Sequence, residues 1–377
     1  IQEGAFSYDK ASLGSYKSFV PNQYTLGYTL VANVRRKYGY QAWISALDDV
    51  ARKPFLITPF NKGLKNATGK GKEILFRNTM FDMDSLWKIQ DSKTSFTHFT
   101  QITNSDKDKY ENNSYPYYLN DTLVVVQYSS LDEITRFQLT GIGGYKKIIT
   151  IPGFLSSEMY SVVRTEVSTG DFLKREPPVK GVHFLLAWTE TINDPRWGQR
   201  NYSVIRIYDT RTGKTRELTK KGRYFAPSFS PGGRSLVAVT VNPEGQNSVV
   251  IIDTETGSEK NIIIKSDTEF YMTPSWSEDG TMVVFAKIDD KGKSINVFSL
   301  NKQDISTIVP AGYIDIANPV FAGEYVLFNG SFSGIENIYA VDMKSKQIWQ
   351  VTSSRFGSCN ADISPDGNKI IYSEYSS

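Results

Sequence analysis

Two histidines, His98 and His183, and one cysteine, Cys359, are all the imidazole and thiol chemistry in 377 residues. The histidines stand 85 residues apart, and neither sits in a His-Glu-x-x-His helix. A zinc site needs three or four such ligands at close spacing, so none is expected. His183 lies in the apolar run "VHFLLAW" and reads as a structural imidazole. His98 alternates with Phe96 and Phe99 on an expected edge strand and is given no role. Cys359, in "RFGSCNAD", leads into a strand and reads as a small buried side chain. A single cysteine builds no disulfide framework.

Three glycine-rich stretches imitate catalytic loops. "GLKNATGKGK" (63–72) places five residues, not four, between its first glycine and Gly69-Lys70, and Gly71 stands where a magnesium-binding Ser or Thr belongs. It reads as a link between helices. "GIGGYKK" (141–147) lacks the third glycine of a dinucleotide fingerprint and reads as a hairpin turn. "GSFSG" (330–334) joins two strands rather than a strand and a helix, which a nucleophile elbow requires. Asp209, Asp253 and Asp342 recur at one turn type and read as turn caps. No catalytic residue, metal or cofactor is assigned.

What remains is a set suited to binding. Arginine, tyrosine and tryptophan anchor partner interfaces because they bring large contact area and directed polar groups together. The richest stretch is "ETINDPRWGQRNYS" (190–203), which presents Asp194, Arg196, Trp197 and Arg200. Others are Arg223, Tyr224 and Phe225, then Phe270 and Tyr271, Tyr313, Arg355 and Phe356, with Tyr110 and Tyr115 ahead of them. Packing between elements would also account for several of these aromatics.

The elements that must hold these residues repeat. "PSFSPGGRSLVAVTV" (227–241) returns as "PSWSEDGTMVVFAKI" (274–288). Each copy has a short strand, a tight turn and a strongly apolar strand, followed by a third strand and a polar turn into a fourth. "VIRIYD", "NVFSL" and "NIYAVD" alternate with the two-residue period of strands. Asp-Gly and Thr-Gly pairs between the runs are hairpin turns. The apolar second strand recurs at 121–128, 182–189, 234–241, 281–288, 324–331 and 369–376, at steps of 61, 52, 47, 43 and 45 residues. Four strands per unit of that length read as the blades of a β-propeller, whereas sandwich domains repeat at roughly 100 residues. Residues 92–377 are therefore expected to form six blades. The last is closed either by "FTHFTQIT" (96–103) pairing with the C-terminal strands or by residues beyond 377. In such a ring the loops leading into first strands share one face with those joining second to third strands. The binding residues above fall on that face.

Before the repeats the period changes. Leu26, Leu30, Val31 and Val34, then Trp43, Leu47 and Val50, follow helical spacing, as do Ile74, Leu75, Met80, Met83 and Trp87. Residues 1–91 are expected to form a small helical unit, too short to bury much core.

Formal charge is +3, from 43 basic and 40 acidic residues, so a nucleic-acid partner is not implied. No 18-residue apolar run is present, so no membrane span is expected. The chain starts at Ile1 and stops on "KIIYSEYSS", which suggests a processed product or fragment.

Two resemblances follow. "FAPSFSPGGRSLVAV", "TPSWSEDGTMVVFAK" and "NADISPDGNKIIYSE" resemble the repeats of the TolB family of propellers, over about residues 96–377. That resemblance implies a periplasmic or outer-membrane-associated chain, expected to be a monomer. It would bind a protein, peptide or glycan at its channel face. The family's α/β N-terminal domain is replaced here by helices. "YTLGYTLVANVRRKYGYQAW" and "GLKNATGKGKEILFRNTM" resemble the C-terminal helices of gluzincin metallopeptidase domains. This implies an alternative, in which the chain is an accessory propeller fragment of a zinc peptidase whose catalytic domain lies upstream.

Overall fold

A computed structural model describes residues 6–14, 20–21, 23–103, 110–141, 143–165 and 182–375. The chain divides into two units, residues 1–95 and 96–376.

The first unit is helical: α1 (Tyr8–Leu13), α2 (Gln23–Tyr38), α3 (Gln41–Arg52), α4 (Pro59–Thr68) and α5 (Lys72–Lys93). Gly69 ends α4 in the left-handed conformation, its N–H returning to Lys65 O. The "GLKNATGKGK" stretch is thus the end of α4 and its link to α5. Val34, Ala42, Ala46, Leu64 and Leu75 form one small core and Ala11, Leu26 and Phe76 another. At Gly63 a Cβ would lie 2.7 Å from Ala46 Cα, so α3 and α4 meet backbone to backbone. Helical spacing was legible, but burial was not. Val31, Leu47, Ile74 and Trp87 are exposed, because so short a unit has more apolar side chains than interior.

The second unit is a β-propeller. Its first blade is β1 (Glu111–Asn120), β2 (Leu123–Ser130), β3 (Arg136–Gly141) and β4 (Lys146–Thr150). The second is β5 (Ser161–Arg164), β6 (Phe184–Asn193), β7 (Asn201–Asp209) and β8 (Lys214–Glu217). The third is β9 (Tyr224–Phe229), β10 (Ser235–Val241), β11 (Asn247–Asp253) and β12 (Glu259–Ser266). The fourth is β13 (Phe270–Trp276), β14 (Met282–Asp289), β15 (Gly292–Ser299) and β16 (Asp304–Gly312). The fifth is β17 (Ile316–Ala322), β18 (Tyr325–Gly330), β19 (Asn337–Asp342) and β20 (Ile348–Gln350). Last comes a two-stranded sheet, β21 (Ser358–Ile363) and β22 (Ile370–Glu374). All pairings within the sheets are antiparallel.

The expected count of six blades is corrected to five complete ones among the described residues. The unit read as a sixth has only its first two strands. Residues 96–103 form no strand beside them. They do lie against that sheet. Thr97 N donates to Ser353 O at 3.0 Å, Ser353 N donates to Thr97 Oγ1 at 2.9 Å, and Phe99 meets Tyr372 edge-on.

Apolar packing closes the ring. Second strands bury both faces, because each is sandwiched between neighbouring sheets. Phe137 and Leu139 of the first blade meet Phe184, Leu186 and Trp188 of the second. Three further clusters join the second blade to the third, the third to the fourth and the fourth to the fifth. Leu327 and Ile338 pack with Ala361 of β21, and Ile371 of β22 packs with Val124 and Val126 of β2, which completes the circuit. The first strands β1, β5, β9, β13, β17 and β21 adjoin one another in that order and back to β1, as the innermost strands of the ring.

Candidate partner-binding face

The inner strands are not regular. Tyr115, Ala226, Thr273, Asn318 and Asn360 occupy matching positions in β1, β9, β13, β17 and β21, each with φ between 48° and 57°. Each falls at a register shift in its pairing with the second strand. These are β-bulges in the left-handed region, which re-aim side chains on the channel wall. Proline follows the first four. Asn318 Nδ2 donates to Asn360 Oδ1 at 2.7 Å, linking neighbouring inner strands. Burial raises the Tyr115 phenol above its ordinary range, helped by Glu158.

The 190–203 stretch is a hairpin tip. β6 and β7 pair without interruption from Leu185–Asp209 to Asn193–Asn201. Across the tip, Asp194 N donates to Arg200 O at 2.9 Å and Arg200 N to Trp197 O at 2.8 Å. The Asp194 carboxylate accepts from Arg196 N at 2.9 Å and from the Tyr202 hydroxyl at 3.0 Å. These contacts, the Arg196 N–H foremost, hold its carboxyl below the usual range. The Arg200 guanidinium lies over the Tyr202 ring. A tip fixed at so many points holds Trp197 outward, 63% exposed, with Arg196 and Arg200 exposed beside it.

The base of this hairpin is tied to the loop leading into β5. Glu190 accepts from Gly153 N at 2.8 Å, Trp188 Nε1 at 2.7 Å and Arg206 Nε at 3.2 Å. Thr191 N donates to Phe154 O at 2.7 Å. Phe154 is itself largely exposed, as are Leu131 and Ile134 in the β2–β3 loop of the first blade. Sequence reading missed these three. Their signal was apolar residues placed in otherwise polar loops, "SSLDEITR" and "PGFLSS".

The other expected site residues divide. Arg223 and Tyr313 are exposed, Tyr313 almost completely, its hydroxyl donating to Asp290 O at 3.3 Å. Phe356 is about half exposed, and Arg355 lies over the Phe96 ring. Tyr224 is only partly exposed. It packs against the core between the second and third blades and donates to Glu259 Oε1 at 2.8 Å. Tyr271 is 2% exposed and belongs to the core. Its ring meets Phe285 edge-on at 5.8 Å and its hydroxyl donates to Glu269 Oε2 at 2.8 Å. It therefore presents nothing to a partner.

The motifs set aside as structural take these places. "GSFSG" links β18 to β19, and "GIGGYKK" spans the β3–β4 hairpin, with residue 142 outside the described set. Asp209, Asp253 and Asp342 each accept backbone N–H groups of the turn that follows. His183 is buried with neither ring nitrogen bonded, and His98 is exposed. Cys359 is buried and its thiol is pushed up to about 12, chiefly by desolvation. Among the described residues no group of three or more His, Cys, Asp or Glu could hold a metal ion, and no helix is long and apolar enough to cross a membrane.

Ring, repeat and bulged inner strands together define a β-propeller, preceded in the chain by a small helical region. The chain is 26% identical over 175 residues to the Tol-Pal system protein TolB of Wolinella succinogenes, a match covering 44% of this chain and 40% of that protein. It thus spans well under two thirds of that relative's length. Among solved structures, TolB from Acinetobacter baumannii aligns with a TM-score of 0.42 at 15% identity, covering 70% of this chain and 62% of that one. A puromycin-hydrolysing peptidase of Mycobacterium tuberculosis aligns with a TM-score of 0.44 at 14% identity, covering 65% and 38%. No family profile matches the chain.

Proposed function

We propose that this chain is a non-catalytic binding protein of the bacterial cell envelope, periplasmic or outer-membrane-associated. The loop face of its propeller would hold a protein, peptide or glycan. The β6–β7 tip carries this reading: it is braced by five internal contacts, yet its largest apolar side chain, Trp197, points to solvent. Ordering a loop in advance lowers the entropy lost on binding. Arg196, Arg200, Arg223, Tyr313 and Phe356 surround the same face, with Leu131, Ile134 and Phe154. The likeness to TolB supports the envelope setting. Replacing Trp197 and Arg200 together with alanine should weaken capture of the partner at least tenfold while leaving the melting temperature within about 1 °C, since surface changes cost little. Unchanged affinity would remove the tip from the site.

One observation favours a second reading. Tyr28, Phe55, Ile57 and Phe81 of the helical unit are more than 70% exposed, an apolar surface that a further domain would cover. This suits an accessory fragment of a zinc metallopeptidase. Reading the parent gene upstream of Ile1 for His-Glu-x-x-His tests it, and absence of that motif discards it.

A further inference from the structure

Five cations stand in two adjoining loops of the loop face: Arg196 and Arg200 on the β6–β7 tip, and Lys220, Lys221 and Arg223 between β8 and β9. All five are exposed, and none forms an ion pair among the described residues. The two loops are pinned side by side. Ser203 N, where β7 leaves the tip, donates to Gly222 O at 2.8 Å, and the Ser203 hydroxyl donates to Tyr224 O. Val241 N holds Arg223 O at 3.0 Å. Backbone bonds therefore bring the two sets of charges into one patch. We propose that this patch receives an acidic segment of a partner protein, its aspartates and glutamates meeting the five cations and an apolar side chain meeting Trp197. The inference rests on the reading of the β6–β7 tip as a binding site and adds the chemistry of what binds there.

General basicity does not explain the patch. Residues 96–377 carry 29 basic and 32 acidic side chains. Other cations of the same face are neutralised by neighbours: Lys287 pairs with Glu269 and Asp289, Lys293 with Asp315, and Arg136 with Glu133. Around the patch the carboxylates are already committed. Asp194 accepts from Arg196 N and from the Tyr202 hydroxyl, and feels Arg200 only at a distance. Glu190 and Glu217 hold Arg206, and Glu259 accepts from the Tyr224 hydroxyl. Like charges held together without partners repel, and an acidic ligand turns that repulsion into attraction.

Three of the five are arginines, whose planar fork matches a carboxylate with two parallel hydrogen bonds. An exposed tryptophan beside them supplies the apolar anchor that interfaces of this composition use. A protein segment fits the patch better than a lipid surface or an acidic glycan. Asp194 stands on the tip itself, and Glu158 and Glu244 are exposed in the loops next to it. A continuous anionic surface would meet those acids together with the cations. A protein segment places its carboxylates singly and can leave the acids unopposed.

Fluorescence anisotropy of the whole chain with three labelled peptides tests this. One intersperses aspartate and glutamate with leucine, the second replaces its acids by asparagine and glutamine, and the third replaces them by lysine. The acidic peptide should bind about tenfold tighter than the neutral one at low salt, and the lysine peptide more weakly than either. The advantage should vanish near 0.5 M salt, where charges are screened beyond about 4 Å. R200E combined with K221E should abolish it, whereas R200K should keep it. The salt titration uses the unmodified chain and gives its answer whether or not a variant folds. Equal affinity for the acidic and neutral peptides, including no binding of either, overturns the assignment. So does tighter binding of phosphatidylglycerol vesicles or of polygalacturonate than of the acidic peptide. Acidic binding that R200E with K221E leaves intact overturns the patch. Capture of the partner that is lost when Trp197 and Arg200 become alanine would, in each of these cases, still keep the tip as a binding site; capture left unchanged would remove that reading as well.

Discussion

The blades come closest where a turn of one meets the backbone of its predecessor. Gly257, in the β11–β12 turn, has φ +74°, and a Cβ built there would lie 2.1 Å from Leu218 O. Gly257→Ala then carries two costs. The left-handed conformation costs an L-residue about 1–2 kcal/mol. The contact must also open by about 1 Å against a carbonyl fixed in the second blade, overpacking that costs about 1–3 kcal/mol. Gly367, in the β21–β22 turn, has nearly the same φ, +73°, but nothing within 4 Å of its would-be Cβ. Gly367→Ala therefore carries only the first cost. Unfolding entropy of about 2.1 cal/mol/K per residue over the 96–376 unit converts 1 kcal/mol to about 2 °C of Tm. Differential scanning calorimetry should show Gly257→Ala melting about 4–10 °C below the parent and Gly367→Ala about 2–4 °C below it. Equal shifts, or a larger shift for Gly367→Ala, would refute the inter-blade packing described here.

Three further outcomes are expected. Cys359, buried with its thiol near 12, should not react with a disulfide reagent at pH 7.5 until denaturant unfolds the ring; prompt stoichiometric reaction contradicts its placement. Tyr271→Phe should lose about 1 kcal/mol with the Glu269 hydrogen bond and leave partner capture unchanged, as denaturation and pull-down would show. Stability should fall as pH rises from 5 to 8 by up to about 3 kcal/mol more in the parent than in D362N, the limit over that window for a carboxyl displaced from 3.8 to about 7; matching denaturation midpoints at both pH values would contradict this.

Second strands such as "SLVAVTV" were legible because burial on both faces removes polar residues altogether, and their spacing dictated blades. The blade count was misread at 96–103. Alternation there suggested one buried face, yet burial does not alternate: Phe99 is about half exposed, while Ile102 packs toward Val124 and Ile371. Alternation carries no information about whether a backbone finds a ladder partner, and this segment attaches through side chains and the Thr97–Ser353 contacts. The same limit applies to the aromatics. Tyr271 and Tyr313 both precede or open first strands, yet one fills an inter-blade core and the other is almost fully exposed. Sequence position did not tell them apart; packing decided exposure. The five left-handed bulges had no readable signal beyond a proline after four of them, because Tyr, Ala, Thr and Asn are not residues that demand positive φ.

Site-specific photo-crosslinking tests the central claim most directly. A photoreactive residue at Gln199, on the Trp197 tip, is compared with one at Thr212 in the β7–β8 turn, which lies at the opposite end of the same strand. In cells the account predicts one discrete adduct from position 199 and none from 212. An adduct from 212 alone, or from neither position while the partner is still captured, would contradict it.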